Sequence, residues 1–356
     1  MKILFVTPGM TFGGAERVMS VLANHLVDNG YEVGFVIIND DPKSVYELDS
    51  RVEIKSMPTA RFDRIGNLPR LIKTLRANIK AFAPDISVSF FSATAMFVKI
   101  ASTGLRIPMI YSERNDPYNN IKGVKSKMFQ RFALAGAKKV VFQTRGAQQY
   151  YGRGIIRKSS IILNPFDTSA IPERSAEAEK TIVSVGRLCA QKNQAILIDA
   201  FKKISDKHPE YKLIIYGEGP LRRELQNRIE SYGLEERVLL AGNKSNVMDY
   251  TKNAYAFAFS SDFEGLPNAL IEAMALGLPC VSTDCSPGGA RELIRNRENG
   301  MLVPCGDSEK MADAMDYILS NPSEAAEMGR RASQISDRLN VDKICGEWIG
   351  VFNSVI

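Results

Sequence analysis

Short apolar runs recur along the chain at intervals that leave room for one helix each. Residues 3–6, 33–38, 86–90, 109–111, 140–142 and 161–163 read as buried strands. Between most of them apolar residues return every three or four positions, as in 16–27 and 68–82, which predicts amphipathic helices. The pattern breaks at Asn164-Pro165 and through polar residues 169–179, where Pro172 and the Glu, Ala and Ser content predict a linker. A second series follows at 181–185, 212–216, 238–241, 254–259, 280–282 and 301–303. Strands of this kind alternating with helices predict an α/β protein with two doubly wound, Rossmann-like parallel sheets. The expected division is a domain at 1–168, a linker at 169–180, a domain at 181–336, and a C-terminal helix at 337–356 packing back on the first domain. Such sheets bind ligands beyond the carboxyl ends of their strands, so the loops after the strands carry the candidate chemistry.

Phe263-Glu264-Gly265-Leu266-Pro267-Asn268-Ala269-Leu270-Ile271-Glu272 is the most informative of these loops. It leads from a strand into a helix, whose first N–H groups and dipole favour anionic or strongly polar ligands. Glu264 in the loop and Glu272 two turns into the helix suit two parts of one polyhydroxylated ligand. Alternatively they are a capping and a solvated glutamate. Gly186-Arg187-Leu188-Cys189-Ala190-Gln191-Lys192-Asn193 follows another strand. Arg187 offers a planar fork and Lys192 a point charge to one diphosphate; the alternative is two exposed basic residues. Gly217-Glu218-Gly219-Pro220 and Gly242-Asn243-Lys244-Ser245-Asn246-Val247 occupy equivalent places, the latter offering main-chain groups to a base. After the first strand, Gly13-Gly14 precedes a helix and permits close approach to a phosphate or serves only a turn. It is neither Gly-x-Gly-x-x-Gly nor a Walker loop.

Length adds that 356 residues suit two domains rather than one core. Hydrophobic content of 45% and charged content of 24% fit a soluble globular protein. No apolar run reaches the ~20 residues of a membrane span, and the apolar start is too soon broken for a signal peptide. Five scattered cysteines without Cys-x-x-Cys suggest neither a disulfide framework nor a zinc site, so a cytoplasmic location is expected.

In this order and spacing, Gly-Gly-Ala-Glu-Arg from Gly13, Val-Gly-Arg-Leu…Lys-Asn from Val185, Gly-Glu-Gly-Pro-Leu from Gly217, Glu-Gly-Leu-Pro-Asn-Ala-Leu-Ile-Glu from Glu264, and Pro-Gly-Gly-Ala-Arg-Glu-Leu-Ile from Pro287 resemble the family-4 retaining glycosyltransferases of the GT-B fold. The resemblance spans nearly the whole chain and is strongest in the second half. It implies two Rossmann-like domains facing each other across a cleft, the first for the acceptor and the second for a nucleotide sugar. Arg187 and Lys192 would then hold the donor diphosphate and offset charge on the departing nucleotide. Glu272 would accept from the ribose, with Gly186, Gly242, Asn243 and Val247 about the nucleotide. Glu264 would contact the donor sugar, and Gly265 and the N–H groups of Leu266, Asn268 and Ala269 would orient sugar and phosphate. Gly13 and Gly14 would close over the diphosphate. Many members carry a His after the strand at 109–112; here the loop reads Ser112-Glu113-Arg114-Asn115, so Glu113 and Arg114 are candidate donor-sugar or acceptor contacts. Arg114 is too basic to shuttle a proton, and the chain's two histidines, His25 and His208, read as structural. The family's usual scheme gives the acceptor's proton to a donor phosphate oxygen.

Charge bears on the acceptor. Residues 1–170 carry 24 Lys+Arg and 13 Asp+Glu, a net of +11, while residues 171–356 carry 22 and 27, a net of −5. Arg61, Arg64, Arg70, Lys73, Arg76 and Lys80 interleave with Phe62, Ile65, Leu68, Leu71, Ile72, Leu75, Ile79 and Phe82. Lys122, Lys125, Lys127 and Arg131 surround Met128, Phe129 and Phe132. Basic amphipathic helices suit an anionic membrane surface, although either apolar stripe can equally pack on a sheet. The expectation is a transferase peripheral to the inner face of the cell membrane. It moves a hexose or N-acetylhexosamine from a UDP-sugar, with GDP-mannose as an alternative, to a lipid-linked diphosphate glycan. No nucleic-acid module is present, and no cofactor or metal is expected, since Asp40-Asp41 more simply ends a strand. A non-hydrolysing sugar-nucleotide epimerase and a non-enzymatic glycan- or phospholipid-binding module are the alternatives.

Overall fold

The computed structural model describes the chain except residues 12, 39–45, 58–66, 121–122 and 176. Asp40, Asp41, Arg61, Phe62, Arg64, Ile65 and Lys122 therefore lie outside the described residues. The chain divides into two compact units, Met1–Pro165 with Leu339–Ile356, and Phe166–Arg338.

The first unit holds a sheet of β1 (Lys2–Thr7), β2 (Glu32–Ile37), β3 (Glu53–Ser56), β4 (Ile86–Ser89), β5 (Met109–Glu113), β6 (Lys139–Phe142) and β7 (Ser159–Ile161). Its order is β3-β2-β1-β4-β5-β6-β7, with every neighbouring pair parallel. The order reverses between β1 and β4, which is where such sheets open a crevice. In the helix Leu68–Phe82 the apolar stripe Leu71, Leu75, Ile79 and Phe82 is buried. Gly34 of β2 makes room for it, since a Cβ there would stand 2.6 Å from the Phe82 ring. That stripe is core and cannot also face a membrane. Arg76 on the same helix donates to Ala101 O at 2.6 Å and Thr103 O at 2.7 Å, satisfying carbonyls at and just beyond the end of the helix Ser92–Ala101.

The C-terminal helix Val341–Asn353 belongs to this unit. Trp348 is fully buried there and stacks on Phe90, just past β4, with ring centroids 5.7 Å apart.

The second unit holds β8 (Glu179–Val185), β9 (Lys212–Tyr216), β10 (Val238–Gly242), β11 (Ala254–Phe259), β12 (Cys280–Thr283) and β13 (Met301–Val303). The order β10-β9-β8-β11-β12-β13, again all parallel, reverses between β8 and β11. Residues 169–180 lie within this unit. Arg174 fastens them by donating to Leu276 O at 2.7 Å and Gly277 O at 3.2 Å, and β8 begins at Glu179.

Replacing Arg76 by Gln should destabilise the first unit by about 1–3 kcal/mol, the cost of leaving such carbonyls unmet. The exposed Lys80→Gln on the same helix should change stability by no more than about 0.5 kcal/mol. Denaturant midpoints of the two variants check this, and equal shifts would contradict it.

Candidate functional site

Glycine packs neighbouring loops of the second unit on one another on either side of the reversal between β8 and β11. Gly217, at φ +144°, lies so near the β8 loop that a Cβ would fall 2.0 Å from Gly186 O. A Cβ on Gly219 would fall 2.3 Å from Leu188 O. The Gly186 N–H donates to Tyr216 O and the Leu188 N–H to Glu218 O, both at 2.9 Å, so the two loops pair backbone to backbone. This contact holds Gly186 and Arg187 at the carboxyl edge. Arg187 is exposed, and its guanidinium has no partner among the described residues.

Lys192 ends the 3-10 turn Ala190–Lys192. Its ammonium is ion-paired with Glu264, and the two side chains are 21% and 13% exposed. The ammonium also lies 5.1 Å over the Phe259 ring. Around this pair, Gln191 Nε2 donates to Phe263 O at 2.9 Å and to Glu264 Oε1 at 3.3 Å. Ser261 Oγ donates to Glu264 Oε1 at 3.2 Å, and Ser260 Oγ to Lys192 O at 2.7 Å. The backbones are tied as well, Asp262 N to Gln191 O at 2.9 Å. The sequence brought Lys192 and Glu264 in as separate binding groups. The structure joins them directly, while the Arg187 guanidinium stays exposed without a partner among the described residues.

The helix Asn268–Ala275 starts beside the pair. Its first backbone bond runs from Ile271 N to Pro267 O, so the Ala269 and Leu270 N–H groups precede the ladder. Leu266 is buried at 6% exposure and Glu272, in the second turn, at 9%. The loop before this helix rests on Gly289, where a Cβ would fall 1.8 Å from Gly265 O. On the other side of β8, Gly242 takes φ +74° and accepts from Gly217 N at 2.9 Å. Asn243 is exposed, and Val247 opens the short helix Val247–Thr251. All of these loops leave the same edge, because every strand of the sheet is parallel.

In the first unit, Gly13 and Gly14 stand at the start of the helix Gly14–Asp28 after β1. The Glu16 carboxylate folds back over Gly13, 2.2 Å from where its Cβ would be, and burial raises its pKa. Glu113 ends β5, with Arg114 next, and strand alternation sends them to opposite faces. Glu113 accepts from Tyr111 OH at 2.9 Å, Tyr151 OH at 3.2 Å, Gln130 Nε2 and Asn115 N, while burial pushes its carboxyl above the usual range. Arg114, 7% exposed, donates from Nη1 to Asn164 Oδ1 at 2.9 Å. It lies over the rings of Phe90 at 4.2 Å and Trp348 at 5.5 Å. Burial lowers it to about 9, so it remains a cation at neutral pH. Its Nε and Nη2 meet no partner among the described residues.

The sequence missed Gln191, Ser261, Gln130 and Tyr151. None carries charge, so only contact reveals them. Among the described residues no group of three or more His, Cys, Asp or Glu is placed to hold a metal.

Two family models cover most of the chain, "Glycosyltransferase Family 4" at residues 12–170 and "Glycosyl transferases group 1" at residues 166–335. The chain is 28% identical to a glycosyltransferase of Haemophilus influenzae, over 95% of this chain and 96% of that one. It is also 28% identical to an α-1,4-N-acetyl-D-galactosaminyltransferase of Campylobacter jejuni, over 100% of this chain and 99% of that one. That enzyme's name gives its substrate as GalNAc-α-(1→4)-GalNAc-α-(1→3)-diNAcBac-PP-undecaprenol. In structure, the Anabaena protein HepE, solved with UDP, superposes with a TM-score of 0.84 at 21% identity, over 99% of this chain and 100% of that one. With two parallel Rossmann-like sheets and charged loops at their carboxyl edges, the chain belongs to the family-4 glycosyltransferases of the GT-B fold.

Proposed function

We propose that the protein transfers a hexose or N-acetylhexosamine, with N-acetylgalactosamine favoured, from a UDP-sugar to a lipid-linked diphosphate glycan, with retention of anomeric configuration. The observation that carries this reading is the cluster of Arg187, Lys192 and Glu264 at the reversal of the second sheet. The Campylobacter enzyme supports the acceptor class and the sugar, and the UDP bound to HepE supports the nucleotide. Retention fits an α-linked product made from an α-linked donor.

In this scheme the donor's C1–O bond breaks and negative charge gathers on the diphosphate. Arg187 meets that charge with a planar fork. Lys192 shares its proton donors between Glu264 and phosphate, so ligand binding loosens the ion pair rather than creating a new charge. The N–H groups at the start of Asn268–Ala275 add fixed dipoles. Glu272 receives the ribose hydroxyls and Glu264 the sugar. The acceptor oxygen bonds to C1 and its proton passes to a donor phosphate oxygen. Arg187 and Lys192 supply the positive charge that a divalent ion otherwise brings, so no metal is required.

No helix among the described residues is long and apolar enough to cross a membrane. The helix Val124–Gly136 nonetheless exposes Val124 at 85%, Met128 at 42% and Phe132 at 49%. Lys125, Lys127 and Arg131 are exposed among them. Its opposite face, Gln130, Ala133 and Leu134, is buried in the first unit. Exposed apolar side chains ringed by cations suit the headgroup zone of an anionic membrane, and we assign this helix, not Leu68–Phe82, to that role.

Arg187→Ala should cut turnover ~10²-fold or more and weaken UDP binding. Glu272→Gln should weaken free UDP, while Glu264→Gln should weaken the intact donor more than UDP. Release of UDP from donor and acceptor measures turnover, calorimetry measures binding, and near-normal values for Arg187→Ala would reject the site. Activity should survive EDTA; a loss restored by Mn²⁺ would reverse the metal-free assignment.

The unmodified protein should bind vesicles of anionic lipid and release them in salt. Lys125→Gln, Lys127→Gln and Arg131→Gln together should remove about 3 kcal/mol of that binding, at about 1 kcal/mol for each basic residue. Activity on a long-chain acceptor should fall far more than on a short soluble analogue. Vesicle flotation and paired assays test this, and absence of binding would return the acceptor question to soluble glycans.

A further inference from the structure

The carboxyl edge of the first sheet carries an aromatic corner that the scheme above does not use. Tyr118 lies in the short helix Pro117–Asn120 after β5, and Tyr150 closes the helix Arg145–Gln149 after β6. These strands are parallel neighbours, so both tyrosines leave the same edge. Tyr118 is 53% exposed and Tyr150 40%. Their rings meet nearly at right angles, 78°, with centroids 4.7 Å apart. Neither hydroxyl has a partner among the described residues.

The corner is held rigidly from behind. The Tyr150 ring packs edge-on against Tyr151, centroids 5.0 Å apart at 82°. Tyr151 stacks on Phe142 of β6 at 5.2 Å, and its hydroxyl donates to Glu113 at 3.2 Å. On the other side, the buried Asp116 accepts from Tyr118 N at 2.8 Å and from Asn119 Nδ2 at 2.6 Å. Two exposed rings are thus fixed before any ligand arrives, which removes the entropy cost of ordering them.

We propose that Tyr118 and Tyr150 form a subsite for one pyranose ring of the acceptor glycan. The choice of an acceptor sugar rests on the transferase reading. A pyranose has a face of C–H groups and a rim of hydroxyls. The aromatic face of one tyrosine covers the former, and the open phenol groups reach the latter. A perpendicular corner fits this shape better than it fits a flat nucleobase, which stacks best in a parallel slot. A lipid tail would leave both hydroxyls without partners. Tyr118 and Tyr150 therefore select and place the acceptor, while the donor lies with the other unit's residues.

Saturation-transfer NMR with methyl α-N-acetylgalactosaminide tests the subsite without turnover. The unmodified protein should transfer saturation to the sugar's ring C–H protons. Tyr118→Ala and Tyr150→Ala should each weaken the sugar about tenfold, as expected for loss of an aromatic stack and a hydrogen bond. Tyr150→Phe keeps the stack and should lose less. UDP affinity and the thermal midpoint should stay unchanged in all three variants, and the acceptor KM should rise with donor KM constant. No sugar signal in the unmodified protein, no loss in either Ala variant, or a parallel fall in UDP affinity would each overturn the proposal. If sugar binding depends on the tyrosines but no UDP is released from donor and acceptor, the subsite stands and the transferase reading falls.

Discussion

The candidate donor site depends on three places where one backbone lies on another with no space for a side chain. Gly217 against Gly186, Gly219 against Leu188, and Gly289 against Gly265 each leave less than 2.5 Å between a notional Cβ and a carbonyl oxygen. The first two dock the loop after β9 on the loop after β8. The third seats the loop that carries Glu264. A parallel sheet delivers its loops to one edge but spaces its strands by about 4.8 Å, so loops from neighbouring strands must lean together to form one site. Glycine allows that lean, and the backbone hydrogen bonds at Gly186, Leu188 and Gly217 keep it.

On that frame the charges are sorted by solvent access. Lys192 and Glu264 neutralise each other in a half-enclosed place, with Gln191 and Ser261 meeting further lone pairs of the carboxylate. A pair this enclosed resists separation unless the incoming group replaces what each partner loses. In the proposed scheme a diphosphate beside Lys192 and a sugar hydroxyl beside Glu264 would do so together, which would couple recognition of the two halves of a donor. Arg187 would need no such exchange, because its side chain is exposed to water.

The legible parts of the sequence were those with a local signal. Central strands announced themselves as apolar runs, and the loops of the candidate donor site as glycine and charge at strand ends. β3 was missed because an edge strand reading Glu53-Ile54-Lys55-Ser56 has no such run. Gln130 and Tyr151 were missed because they reach Glu113 across 17 and 38 residues. The helix Leu68–Phe82 was ambiguous for a deeper reason. A basic helix with one apolar stripe has the same periodicity whether the stripe meets a sheet or a membrane. The burial of Leu71, Leu75, Ile79 and Phe82, the last with its ring close to Gly34 of β2, decides for the sheet. In Val124–Gly136, by contrast, Val124, Met128 and Phe132 remain exposed.

Arg114 links the far end of the chain to the ligand edge of the first unit. A guanidinium this deep, with Asn164 as its hydrogen-bond acceptor and, among the described residues, two nitrogens unmet and no opposing carboxylate, carries a desolvation cost. The rings of Phe90 and Trp348 offset part of it through their negative faces. Phe90 comes from the end of β4, but Trp348 comes from the C-terminal helix, more than two hundred residues beyond Arg114. The returning helix therefore does more than cover apolar surface. It supplies half of the aromatic bed on which the cation after β5 rests, and so fixes the loop that runs on through Asp116 to Tyr118. That is a structural reason for Leu339–Ile356 to belong to the first unit although the chain reaches it only after completing the second.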